Sequence, residues 1–240
     1  MSLEEDELAL KHLVLLPGLE GTGQLFGGFL TTLPPALTTT VVSYPTDRFL
    51  TCSELLELVS AAVPKTEPFV VLAESFSTPL ALKYASTNPP NLAGVIICAG
   101  FARNPIGGWS RLAKAVSKPW FFTLKPPRFV LEYFLVGENA PSALIQRIRE
   151  TLPLVRPEVL SCRVREVLEC DASNDLARII SPIMYLRGLH DRLLSVSCHR
   201  EILRIRPDVV LATIEAPHML LQREPQKAAN LIVAFLAKSR

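Results

Sequence analysis

Apolar residues in this chain fall into short unbroken runs separated by amphipathic stretches. The runs are His12-Leu-Val-Leu-Leu-Pro, Thr40-Val-Val-Ser-Tyr, Phe69 to Ala73, Leu92 to Cys98, Ile183 to Arg187 and Val209 to Ile214. Continuous apolar character, without strict alternation, predicts strands covered on both faces, as in a parallel sheet wrapped by helices. Helix-like segments lie between them: Ser53 to Val63, Pro79 to Ser86, Ser195 to Ile205 and Gln226 to Leu236. This alternation predicts a doubly wound α/β fold with about six strands.

One segment interrupts the rhythm. From Ala102 to Ala172 no strand pattern occurs, while Pro, Trp and Phe cluster around the helical stretches Ser142 to Leu152 and Pro157 to Leu168. So long an insertion after a strand exceeds an ordinary loop, and its apolar content favours a helical cap over the active edge of the sheet. The expected organisation is a core of residues 1–101 and 173–240 with a cap or lid of residues 102–172. The chain has no internal repeat and no low-complexity tract.

Composition narrows the classes. With 49% apolar residues, 20% charged residues and a net charge of +2, the chain is neither disordered nor a general nucleic-acid binder. Five cysteines, an odd number with no C-x-x-C pair, read as reduced and not metal-binding. No apolar run approaches the roughly 20 residues of a membrane helix. The acidic start, Glu4 to Glu7, lacks the features of a secretory signal, so a cytoplasmic protein is expected.

Three places carry candidate chemistry. The loop Pro17-Gly-Leu-Glu-Gly-Thr-Gly23 follows the first strand, but its G-x-x-G-x-G spacing matches neither nucleotide-binding fingerprint. Its backbone freedom equally suits N–H groups aimed at a developing oxyanion. In Ala73-Glu-Ser-Phe-Ser77, a strand runs into a helix with Ser75 at the join and small residues two positions away on each side, as a strained strand-to-helix turn requires. Ser77, closer to the helix, reads as a helix cap, and Pro79 is tolerated in the first turn. Asp191 and His218 each follow the end of a late strand, the edge where open α/β sheets place their sites. Taken singly, Asp191 reads as a turn former and His218 as a helix-start residue. His12, His190 and His199 lack such a context. His190 adjoins Asp191 and cannot easily bond that acid while reaching Ser75.

From Leu13 to Leu236 the chain resembles the α/β-hydrolases, whose triad runs serine, acid, histidine in chain order. The resemblance implies Ser75 as nucleophile, Asp191 as the acid and His218 as the base. It also implies that the backbone N–H groups of Leu19 and Phe76 form the oxyanion hole. Three departures stand out: Pro17 where many members have histidine, Ala73 and Ser77 in place of the elbow glycines, and too few residues before Leu13 for the usual N-terminal antiparallel hairpin. None removes a catalytic atom. No metal or organic cofactor is implied.

The implied reaction is hydrolysis of a carboxylic ester through an acyl-serine. Acyl thioesterase, carbon–carbon bond hydrolase and perhydrolase chemistry use the same triad, and a catalytically silent fold acting as a binding module is the alternative outside enzymology. Within the cap, Trp109, Trp120, Phe121, Phe122, Phe129, Tyr133 and Phe134 are expected to form either the cap's own core or an acyl pocket. From Ser75 to Leu131 there is no Asp or Glu, while Lys83, Arg103, Arg111, Lys114, Lys118, Lys125 and Arg128 are present. Such a basic cap would solvate a helical face or attract an anionic acyl donor, such as a carrier-protein or coenzyme-A thioester.

Overall fold

The computed structural model describes residues 12–107 and 117–238. Trp109, Arg111, Lys114 and the residues before His12, with the expectation that no hairpin precedes the first strand, lie outside those described. Strands His12–Leu16 (β1), Thr38–Val41 (β2), Phe69–Glu74 (β3), Leu92–Cys98 (β4), Ile183–Gly188 (β5) and Val210–Ile214 (β6) form one sheet. Its order is β2-β1-β3-β4-β5-β6, and all five neighbouring pairs are parallel.

The unbroken apolar runs are explained by burial on both faces. Val14, Leu16, Val71, Val95 and Ile97 point into one core, against Leu55 and Val59 of the helix Cys52–Ala62 (α1) and Leu82 and Ala85 of the helix Thr78–Ala85 (α2). Their neighbours Leu13, Leu15, Leu72, Ile96 and Leu186 point into the other, against Phe26, Phe29, Ile232 and Phe235. The two helices begin differently. Thr51 and Glu54 close a reciprocal capping box on α1, satisfying donors that the first turn leaves open. Pro79 stands in the first turn of α2, where its missing N–H costs nothing.

The edge strands depart from expectation. β6 is largely exposed, and β2 starts at Thr38 and ends at Val41, ahead of the run read from the sequence. Val42 N–H still donates to Leu15 O of β1 at 2.9 Å, and two residues on Tyr44 N–H donates to Gly21 O at 2.7 Å, which ties this chain to the loop after β1. Tyr44 is buried there.

Between β4 and β5 lie the helices Ser142–Thr151 (α3) and Pro157–Glu169 (α4), as the pattern predicts. A 3-10 turn at Pro119–Thr123, a short helix at Arg128–Leu131 and a π-helical turn at Glu132–Val136 precede them. Among the described aromatic residues of this region, Phe122 packs against Val155, Val159 and Leu160, whereas the others depart from the expectation of a cap core. Trp120, Phe121, Phe129, Tyr133 and Phe134 are exposed and form no core. The small core here is aliphatic instead: Leu131, Val136, Ile145 and Ile148 pack with Leu25 and Met219. After β5 come the helices Val196–Ile205 (α5) and Pro225–Lys238 (α6). Among the described residues, no helix is long and apolar enough to cross a membrane.

Candidate active site

The chain leaves β1 toward one side to form β2, then returns to the other side to form β3. In open α/β sheets, such a reversal opens a crevice at the carboxyl ends of the strands. Register fixes what meets there. Leu16 pairs with Ala73, so the loop starting at Pro17 lies alongside Glu74-Ser75-Phe76.

Ser75 sits at φ 48°, in the left-handed region. Ala73 and Ser77 on either side are fully buried, leaving no room for larger groups. Ser77 does not cap the helix. Its hydroxyl bonds Tyr44 Oη at 2.7 Å and donates to Pro17 O, fastening the turn to the loop after β1.

Asp191 and His218 arrive from β5 and β6. Leu189 N–H donates to Ile214 O at 2.8 Å and His190 N–H to Ala216 O at 3.0 Å, so the two post-strand loops run together. Gly188 allows this approach, because a Cβ there would stand 2.4 Å from Pro217 O. Asp191 Oδ1 accepts from the backbone N–H groups of Leu193 and Leu194, both at 2.9 Å, which orients the carboxylate. Its Oδ2 lies 2.8 Å from His218 Nδ1, and His218 Nε2 lies 3.1 Å from Ser75 Oγ. The imidazole is buried, whereas Ser75 is half-buried and reachable. The remaining histidines stand elsewhere: His190 pairs with exposed Glu215, His12 with Thr40, and His199 packs near the Tyr185 ring.

Leu19 N–H has no backbone acceptor among the described residues, and Phe76 N–H falls in the first turn of a helix, where amides lack intrahelical partners. Behind Leu19 is a support that the sequence did not reveal. Arg163 of α4, only 3% exposed, donates from Nη1 to Leu19 O at 2.9 Å and Glu20 O at 2.8 Å, and from Nη2 to Pro45 O at 2.9 Å. Its guanidinium lies 5.7 Å from the Tyr44 ring centre and 6.0 Å from that of Phe76. Gly21, at φ 74°, makes the seat: a Cβ there would be 2.4 Å from Arg163 Nη1. Buried Glu20 accepts from the N–H groups of Thr22 and Gly23, closing the same loop, and burial pushes its carboxyl pKa up. No local pattern marks Arg163, which reads as one more polar position on an amphipathic helix.

Glu74, beside the serine, is a second buried carboxyl missed in the sequence. Burial raises its pKa from the ordinary 4.5 to about 7, against the opposing pull of a hydrogen bond from Gln222 Nε2 at 3.0 Å and of His218. A cavity of about 380 Å³ abuts the turn through Phe76 and Pro79, between α1, α2 and the end of α4. Neither Ser75 nor His218 lines it, so it neighbours the serine without containing it. The five cysteines are free thiols, and among the described residues no cluster of His, Cys, Asp and Glu could hold a metal.

No family model and no curated protein matches the chain in sequence. Solved structures match its shape. A lipase-esterase related protein from Clostridium acetobutylicum superposes with a TM-score of 0.76 at 17% identity, covering 95% of this chain and 96% of that one. A hydrolase from Oleispira antarctica gives 0.77 at 13% identity, with 97% of each chain covered. An enol-lactonase from Burkholderia xenovorans gives 0.77 at 14% identity, with 94% and 91% covered. Such low identities speak to the framework alone, and that framework of six parallel strands flanked by helices is the α/β-hydrolase fold.

Proposed function

We infer that the protein is a serine hydrolase that cleaves carboxylic esters through an acyl-enzyme. The observation that carries this reading is the continuous chain from Asp191 Oδ2 through both nitrogens of His218 to Ser75 Oγ, ending on a serine held in left-handed geometry. A serine hydroxyl is a weak nucleophile near neutral pH, and a hydrogen-bonded imidazole removes that barrier. Ser75 Oγ attacks the acyl carbon as its proton passes to His218 Nε2, and the carbonyl electron pair moves onto oxygen. Asp191 holds the Nδ1–H tautomer and stabilises the imidazolium. The N–H groups of Leu19 and Phe76 receive the oxyanion. Collapse of this intermediate breaks the acyl–oxygen bond, and His218 returns the proton to the leaving alcohol. Water then repeats the sequence on the acyl-serine and frees the acid.

The residues between β4 and β5 act in this reading as a cap, with Arg163 reaching from it to hold the oxyanion loop. A thioester would be cleaved by the same parts. The test is a panel of esters and acyl thioesters of varied acyl length, together with fluorophosphonate labelling. Ser75→Ala should lose labelling and lower kcat by several powers of ten while its melting temperature stays near that of the native protein. Activity that survives Ser75→Ala and is lost in Ser77→Ala would move the nucleophile, and an absence of both labelling and hydrolysis in the native protein would leave a silent binding module.

A further inference from the structure

The segment from Lys118 to Tyr133 exposes large apolar side chains in succession. Trp120 is 63% exposed, Phe121 52%, Leu124 60%, Phe129 70% and Tyr133 53%. Soluble surfaces rarely gather so much apolar area without something to cover it. The charges among these residues are of one sign except at Glu132. Arg128 is paired with Glu132 at 2.9 Å, while Lys118 and Lys125 join no ion pair among the described residues.

The strip is anchored at both ends beside the site. Phe122 packs against the Val155, Val159 and Leu160 cluster that also receives Leu19, the expected oxyanion residue. At the other end Leu135 O accepts from the N–H of Met219, next to His218, at 2.9 Å. The strip is thus tied, at Phe122 and just beyond Tyr133 at Leu135, to segments that neighbour Leu19 and His218.

We propose that this strip docks the protein on an anionic lipid surface, so that the ester it cleaves is drawn from the lipid phase. Interleaved aromatic and basic side chains match a bilayer interface, where rings enter the headgroup boundary and cations meet anionic lipids. A dissolved anionic acyl donor could meet the lysines, yet rings exposed to this degree do not enclose an acyl chain. A second copy seated on the strip across a two-fold axis would bring the basic strip carrying Lys118 and Lys125 against the same basic strip. The statement about the ester rests on the hydrolase reading, whereas the docking does not.

Flotation with vesicles separates the two. Ser75→Ala, which cannot consume lipid in this reading, should float with vesicles of equal parts phosphatidylcholine and phosphatidylglycerol and hardly at all with phosphatidylcholine alone. Replacing Lys118 and Lys125 by Ala should weaken flotation about fivefold per lysine. Trp120→Ala with Phe129→Ala, at positions too exposed to endanger folding, should weaken it by about tenfold or more. In otherwise active protein the lysine pair should leave kcat/KM for a dissolved short ester unchanged and reduce it for an ester dispersed in the anionic vesicles. No flotation, equal flotation with both vesicles, or a dimer in sedimentation that the Trp120 and Phe129 substitutions abolish would each overturn the proposal. A protein that floats as expected but cleaves no ester would remove the proposed function and keep the docking surface.

Discussion

At Ser75 the backbone itself is displaced from comfort. A non-glycine residue at φ 48° costs on the order of 1–3 kcal/mol, and the turn keeps that conformation because Ser77, Tyr44 and Pro17 fasten it from the other side. Its neighbour Glu74 gives a pH-dependent prediction. In the unfolded chain this carboxyl loses its proton near 4.5, and in the folded protein near 7. Between those values the folded state holds the extra proton, so the contribution of this group to stability falls as pH rises through the window and is level above it. The slope cannot exceed about 1.4 kcal/mol per pH unit. Glu74→Gln should therefore flatten the loss of stability on going from pH 4.5 to pH 7, as read by denaturant melts across that range. An unchanged profile would mean that folding does not raise the pKa of this carboxyl.

Among the elements, α4 and the loop after β1 depend on one another. The loop carbonyls of Leu19 and Glu20 face inward and would be unpaired without Arg163, and the guanidinium would be an uncompensated buried charge without them. Burial lowers the pKa of Arg163, and the nearby Tyr44 and Glu20 oppose that shift. Arg163→Ala should cost about 2–5 kcal/mol in stability, since it orphans buried acceptors. Because it also frees Leu19, it should lower kcat for a dissolved ester by about 10–100-fold with a smaller change in KM. Arg163→Lys should recover part of the stability and less of kcat, since an ammonium cannot reproduce the fork that spans Leu19, Glu20 and Pro45. Equal kcat in all three proteins would show Arg163 to be structural only.

Across the whole molecule, stability is concentrated at the centre of the sheet. β4 is buried along its length, while β6 leaves Val210 half in water. Ile96→Ala should cost about 2–5 kcal/mol through the cavity it opens. Val210→Ala should stay within about 0.5 kcal/mol, because little packing is lost at an exposed edge. Urea melts of the two variants test this gradient directly.

The sheet was legible in the sequence because burial on both faces demands unbroken apolar runs, and these mark β1, β3, β4 and β5 without knowledge of their neighbours. The edges were harder. At Tyr44 the same apolar character serves a buried tether to Gly21, and a one-dimensional pattern cannot separate a ladder from a tether. Ser75, Asp191 and His218 were legible as candidates because each follows a strand end in a family order. Their meeting at 2.8 and 3.1 Å depends on register and on the crossing of two loops at Gly188, both of which are tertiary. The aromatic residues after Lys118 were read as core or pocket, since apolar composition implies burial on average; only the fold decided that they face outward. Arg163 and Glu74 left no trace at all. Sequence determines which segments must be hidden and which residues have usable chemistry. The meaning of the buried Arg163 comes from the backbone carbonyls around it, which lie far away along the chain.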